Sequence, residues 1–453
     1  MANRYCSRHI PRPRSRYRVV PPTACVSEFF ALVRGSGRDT AGPPACLDGV
    51  PPRAGPRDAQ GSAHLRQGGP AVRQAGEADG RRPRHLPTAG ASGKRRLLQP
   101  AFRPSHVAEY TDLVTEEADA VCRAWPDGQD IPVTEAMMAL TTRVTSRVLL
   151  SDSLDDRTTA EVRDCLTAVV RGLFVRTIVP IDALFRLPTP ANRRYRRALS
   201  RLHEIIDAAI AERRRGADHD DVLGTLLKAA NGDGPTRAIT DQEVHDHLIT
   251  LLLTGVETQA LTLAGAFSLL ARNPQAERRL HAELDSLLAE GRRPGPEDLP
   301  HLVYTRCVVS ETLRHSSPGW LFTRVATKET ELGGCRLPEG ATVLYSPHLL
   351  HHDPSSFPEP ERFDPDRWLP GQPTAEQRRA MMPFSAGSRK CLGDEFAMVE
   401  ATLALATIAG RRRLRHLPDR AERKQRPGIT MGPRSLVMVC EPRTAGDHVV
   451  DNA

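Results

Sequence analysis

Phe384-Ser385-Ala386-Gly387-Ser388-Arg389-Lys390-Cys391-Leu392-Gly393 is the stretch of sequence from which the rest can be read. Pro383 closes what precedes it, and Asp394 to Ala409 follows as a strongly helical run. Cys391 therefore falls on a loop just before a helix N-terminus, where the dipole and free amides stabilise a thiolate. Arg389 and Lys390 add positive charge beside it. Gly387 and Gly393 let the backbone approach something bulky and flat, and Phe384 can shield the sulfur from water. A sulfur held this way is either a nucleophile or a metal ligand. A nucleophile needs a histidine base, which another part of the chain could bring. Zinc needs further ligands at recognisable spacing, and none accompany this cysteine. An axial thiolate on haem iron needs this one residue, because the porphyrin supplies the other ligands. An inert buried cysteine explains neither the flanking charges nor the paired glycines.

Upstream lies a second unusual stretch. Thr240 followed three residues later by Glu243 is the capping-box spacing that starts a helix, and Asn273-Pro274 stops it. The run between, 241–272, would be about 48 Å long at ~1.5 Å per residue. Its apolar centre contains Thr254-Gly255-Val256-Glu257-Thr258. A glycine in a helix interior costs about 1 kcal/mol against alanine, and a buried acid costs more unless partnered. Both violations at one place predict a point where the helix opens to water or ligand; the plainer alternative is a turn that faces solvent. Helical patterning also covers 104–124, 133–150, 159–175, 191–214 and 220–230. Strand-like pieces come late, at Thr323–Ala326, Ala341–Tyr345 and Leu436–Val439. The predicted fold is mainly α with small β-sheets.

With these residues in view, the chain resembles the cytochrome P-450 superfamily of haem–thiolate monooxygenases. Phe384, Gly387, Arg389, Cys391 and Gly393 match every fixed position of that family's haem-binding loop. Glu311-Thr312-Leu313-Arg314 matches its helix motif of a Glu and an Arg three apart, and Pro360-Glu361-Arg362-Phe363 the later segment whose Arg completes an ion network. Thr254 to Thr258 matches its oxygen-activating stretch. The resemblance spans roughly Lys94 to Pro442 and implies a haem–thiolate core over 94–442, with a tail at 443–453.

The resemblance implies haem b held by Cys391 as axial iron ligand, with O2 as co-substrate. Thr258 and Glu257 would relay protons, and Gly255 would leave room for dioxygen. Arg389, Arg324 and Arg95 would pair with haem propionates, and Glu311, Arg314 and Arg362 would brace the core behind them. Electrons from NAD(P)H would arrive through a separate ferredoxin and ferredoxin reductase. Residues 186–195, 345–354 and 357–368 look like bacterial members that oxidise sesquiterpenes, which implies a small apolar substrate. The alternative is a haem-binding remnant, inactive or unable to activate oxygen, that lacks its N-terminal pocket.

Charge and composition narrow the remaining classes. The net charge is +8, yet residues 1–93 alone carry 15 Lys/Arg against 6 Asp/Glu. The body is therefore near neutral, and no nucleic-acid partner is expected. Residues 1–93 also hold 12 Pro and 12 Gly. They read as a disordered basic segment or as a GC-rich gene translated out of frame. Nine scattered cysteines without a CxxC pair support neither a disulfide framework nor a zinc ribbon. The most apolar run, Leu248 to Leu270, carries Glu257 and Gln259 at its middle, so no membrane span is expected. The N-terminal arginines lead into Pro21-Pro22 rather than an apolar stretch. The expected location is cytoplasmic.

Overall fold

The computed structural model describes residues 65–67 and most of 95–443, the longer gaps being 103–108, 233–238 and 418–427. Twelve α-helices occur among the described residues. They are α1 (Thr111–Ala124), α2 (Val133–Leu150), α3 (Asp156–Ile178), α4 (Asp182–Arg186), α5 (Pro190–Arg215) and α6 (Val222–Ala230). The others are α7 (Asp241–Leu270), α8 (Pro274–Leu287), α9 (Val303–His315), α10 (Pro347–His351), α11 (Ala375–Ala380) and α12 (Asp394–Ala409). Eight short strands accompany them: β1 (Leu65–Gln67), β2 (Asp130–Ile131), β3 (Phe322–Ala326), β4 (Thr330–Leu332), β5 (Cys335–Leu337), β6 (Thr342–Tyr345), β7 (Arg412–His416) and β8 (Met438–Pro442). They form two three-stranded sheets, ordered β1-β3-β6 and β2-β8-β7, and the β4-β5 hairpin, all antiparallel. Helices predominate and the sheets are small, as the sequence implies.

Helix α7 organises the core. The Thr240 hydroxyl accepts from the Glu243 amide (3.2 Å) while the Glu243 carboxylate accepts from the Thr240 amide (3.1 Å), so the capping box forms at its start. Val244, Leu248, Ile249, Leu252, Val256, Ala260, Leu263, Ala264 and Phe267 are buried along it. The helix packs against α2, α5, α9 and α12. It is the one described helix long and apolar enough to cross a membrane, and 67% of its most apolar window is buried inside the fold. That burial makes it a core helix. Its polar centre does not open it: the helix runs unbroken from Asp241 to Leu270. Thr250, Thr254, Thr258 and Thr262 instead form a ladder, each hydroxyl donating to the carbonyl four residues earlier at 2.7–2.9 Å. Such back-bonding satisfies a hydroxyl without breaking the helix.

Strand β1 lies inside the basic segment 1–93. Leu65, Arg66 and Gln67 pair with Ala326, Val325 and Arg324, so those three residues belong to a sheet. Three residues are too few for alternation to show in a sequence. The remaining readings of that segment and of the 443–453 tail fall, apart from Arg443, outside the described residues.

Candidate active site around Cys391

The loop before α12 folds tightly. Gly387 has φ +72° and Ser385 φ +61°, a region that costs a side chain strain. Glycine at 387 is thus a backbone requirement, and Ser385 is held by a 2.7 Å hydrogen bond with the Tyr345 hydroxyl. The Cys391 amide donates to the Phe384 carbonyl at 2.9 Å, closing the loop. Gly393 is the N-cap residue of α12. Its φ is −97°, and a Cβ there would meet only Phe102 at ordinary contact distance. The protein fold alone therefore does not demand glycine at 393.

Cys391 is exposed. The protein packed around its thiol still raises its pKa by desolvation, which outweighs the Gly393 amide donating to the sulfur and the charges of Arg95 and Lys390. The thiolate expected from charge and dipole alone is therefore not the free form at neutral pH. Coordination to a metal would deprotonate it outright. Lys390 forms an ion pair with Asp394, which takes up much of the charge expected beside the sulfur. Arg95 reaches the same loop, its guanidinium donating to the Lys390 carbonyl at 2.5 Å.

Arg389 and Arg324 behave differently. Neither has an acidic partner among the described residues. Burial, and then the charge of Arg324, lower the pKa of Arg389, so two guanidinium groups stand near one another without a counter-ion. Arg324 donates to the Tyr345 hydroxyl at 3.1 Å, which in turn joins Ser385. Two such groups suit the carboxylates of a dianionic ligand. Together with an exposed cysteine at the same loop, they fit haem and its propionates.

Behind the loop, Glu311 and Arg314 on α9 are both 0% exposed and form a bidentate pair at 2.8 and 2.9 Å. Arg314 also donates to the carbonyls of His351, Pro360 and Arg362. Glu311 accepts from the Asp364 amide and the Trp368 indole. Its second cation is Arg367, 3.6 Å away and 10% exposed. This corrects the assignment of Arg362, whose side chain is 61% exposed and pairs with Glu359; only its backbone carbonyl joins the network. His351, missed in the sequence, links the network to the loop: its Nε2 accepts from the Met382 amide at 2.9 Å. Burial, then the charge of Arg314, lower its pKa to about 3, so the ring stays neutral.

The polar centre of α7 is placed with equal definition. A Cβ on Gly255 would meet the Thr145 methyl of α2 at 3.3 Å, so this glycine lets two helices approach closely. Thr258 donates to the Thr254 carbonyl at 2.9 Å. Glu257 accepts from Thr430 (2.6 Å) and pairs with Arg434 (2.7 Å). Gln259, the next residue after Thr258, donates to the Ala397 carbonyl (2.7 Å) and to Glu400 (3.1 Å) on α12. The Thr258 turn is thereby fastened to the helix that follows Cys391. Glu400 is buried, and desolvation, opposed by the Gln259 hydrogen bond, pushes its pKa up to about 8. Gln259 and Glu400 were not among the predicted residues, although Glu400 is the sole charge within the apolar run 396–409.

A long core helix fastened to the helix that follows an exposed loop cysteine, with two arginines that lack an acidic partner among the described residues, fits a haem-binding protein. Comparison with known proteins agrees: the Cytochrome P450 family model matches residues 88–439, and the chain belongs to that family. Among its relatives is cyclooctat-9-en-7-ol 5-monooxygenase of Streptomyces melanosporofaciens, 47% identical over 77% of this chain and 76% of that protein. Pentalenene oxygenase of Streptomyces avermitilis is 38% identical over 78% of each. The solved haem domain of cytochrome P450DA shares the fold, with a TM-score of 0.72 at 24% identity over 88% of this chain and 86% of that one. The chain is an oxidoreductase of the monooxygenase type, and its family uses haem and O2.

Proposed function

We propose that the enzyme inserts one oxygen atom of O2 into an apolar terpene-like molecule, with NAD(P)H electrons delivered through a separate ferredoxin and its reductase. The observation that carries the cofactor half of this reading is the pair Arg324 and Arg389, near one another and without an acidic partner among the described residues, with Arg389 on the Cys391 loop. The substrate half is supported by the names of the relatives, cyclooctat-9-en-7-ol 5-monooxygenase and pentalenene oxygenase. A sesquiterpene-like hydrocarbon remains the proposed substrate, and the cytoplasm the proposed place of action.

Bound haem supplies an iron whose reactivity toward dioxygen is raised by the electron density of a thiolate ligand. Cys391 would furnish that thiolate, and Arg389 and Arg324 would orient the macrocycle through its carboxylates. Arg95 would brace the loop by holding the Lys390 carbonyl. Thr258 keeps its proton on the Thr254 carbonyl and would release it by rotating about χ1. Glu257 is held by the partly exposed Arg434, and its carboxylate would be the group that takes up and hands on protons there. Gly255 would serve here by setting the spacing of α7 and α2.

A remnant that binds haem without activating oxygen is the second reading. The full satisfaction of Thr258 and Glu257 within the protein favours it. Reconstitution with ferredoxin, reductase, NADPH and a cyclic terpene decides between them. Oxygenated product from the parent, and a Thr258→Ala variant that turns NADPH into peroxide at the expense of product, support the relay. No product from a parent that binds the terpene supports the remnant, and unchanged coupling in the variant removes Thr258 from proton delivery.

A further inference from the structure

We propose that His315, His352 and Glu361 form a binding site for one divalent transition-metal ion of the zinc class, apart from the haem site. The three residues come from the end of α9, the turn after α10 and the loop beyond it. One potential ligand atom of each lies within 4.8 Å of the others. Nothing in local spacing brings them together. Arg314 does: it directly precedes His315, and its guanidinium holds the carbonyls of His351 and Pro360 at 2.9 and 2.7 Å. Those are the residues immediately before His352 and Glu361. One buried side chain thus fixes the backbone next to all three donors, the support a preorganised site requires.

The donors are also in usable form. His352 Nδ1 lies 2.9 Å from the His348 carbonyl, a contact that requires the proton on Nδ1 and leaves Nε2 with its lone pair. His315 Nδ1 makes a long 3.4 Å contact with Ser316 Oγ, which a metal can replace, and the ring also bonds to the Glu361 backbone. The His348 ring lies 4.2 Å from that of His352, and its Nδ1 is buried without a hydrogen-bond partner. It is a candidate for a fourth donor. Arg314 is paired with Glu311, though its charge still opposes protonation of His315; the carboxylate of Glu361 is the triad's own negative charge, and it would offset that repulsion for a bound cation. Tetrahedral zinc with bonds of about 2.0–2.1 Å sets its ligands about 3.4 Å apart. The triad need therefore contract by about 1.4 Å at most, and Glu361, which would have to move, is exposed. Two imidazoles and a carboxylate suit zinc, with nickel and copper as competitors. Such an ion would fasten α9 to the loop that carries Arg367.

The test uses the full-length, haem-loaded protein, freed of metals by chelation and titrated with zinc chloride by calorimetry. Thermal melts are run in parallel. One equivalent should bind in the micromolar range or tighter and raise Tm. His352→Ala and Glu361→Gln should each weaken that binding at least tenfold, with an unchanged Soret band showing that the haem site is intact. Glu361→Gln replaces an exposed side chain and guards against loss of folding. Zinc affinity equal to the parent in both variants would assign the ion to cysteines elsewhere and overturn the proposal. Binding weaker than 1 mM in the parent would overturn it equally.

Discussion

Arg314 and Arg389 are both drawn out of water, but among the described residues only Arg314 finds a counter-charge. Its guanidinium is fully buried, paired with Glu311 and bonded to three backbone carbonyls. Arg389, on the Cys391 loop, is desolvated and faces another arginine instead. Buried charge is tolerated when geometry and hydrogen bonds compensate it, and costs several kcal/mol when they do not. The first centre is therefore complete within the chain and holds the fold. The second is left electrostatically open among the described residues, and the carboxylates of a bound haem would close it.

Removing a charge from the closed centre should have the largest effect. Arg314→Ala strands Glu311 and should cost about 3–5 kcal/mol in denaturant unfolding, whereas Arg362→Ala should stay within about 0.5 kcal/mol. Equal losses would restore Arg362 to the network and break the contrast.

Glu400 sharpens the rule, since a carboxyl can shed its charge and an arginine cannot. Its pKa in the fold is raised to about 8 from an ordinary 4.5, so the folded state keeps a proton that the unfolded chain gives up near 4.5. Stability from this group is complete below pH 4.5, falls as pH rises toward 8, and levels off above. Glu400→Gln keeps the hydrogen bond with Gln259 and should lose that slope. Relative to the parent it should gain on the order of a few kcal/mol between pH 4.5 and 8.5, read from melts at both pH values. Parallel pH profiles would mean that Glu400 is already ionised.

The smallest effect belongs to the open centre. Arg389→Ala should release haem to apomyoglobin roughly tenfold faster, the loss of one charge-assisted bond worth about 1.5 kcal/mol. The haem-free form should be no less stable, because an uncompensated cation has gone. A haem-free protein destabilised as much as Arg314→Ala would make Arg389 structural.

What could be read in advance follows from how local each signal is. The Cys391 loop is legible because ten adjacent residues carry its backbone and charge requirements. Glu311 and Arg314 are legible because they lie three apart on one helix. The third member of their network was placed five residues too early, for a definite reason. Pro360-Glu361-Arg362-Phe363 and Pro365-Asp366-Arg367-Trp368 both read proline, acid, arginine, aromatic. Only burial separates them, and burial is not written in a four-residue pattern. The polar centre of α7 was visible, but the roles of its members depend on partners far away: Thr145 for Gly255, Arg434 for Glu257 and Glu400 for Gln259. Strands β2, β4 and β5 are two or three residues long, too short for alternation to show, and β7 reads Arg-Arg-Leu-Arg-His with a single apolar residue. Strand β1 lies in a composition that hides it.

The central claim is that Cys391 supplies the thiolate to a haem iron, and the difference spectrum of the dithionite-reduced, carbonyl-bound protein tests it most directly. The account predicts the red-shifted Soret band of thiolate ligation in the parent and its complete loss in Cys391→Ala. Persistence of that band in the variant, or a parent showing only histidine-type ligation after full haem loading, would contradict it.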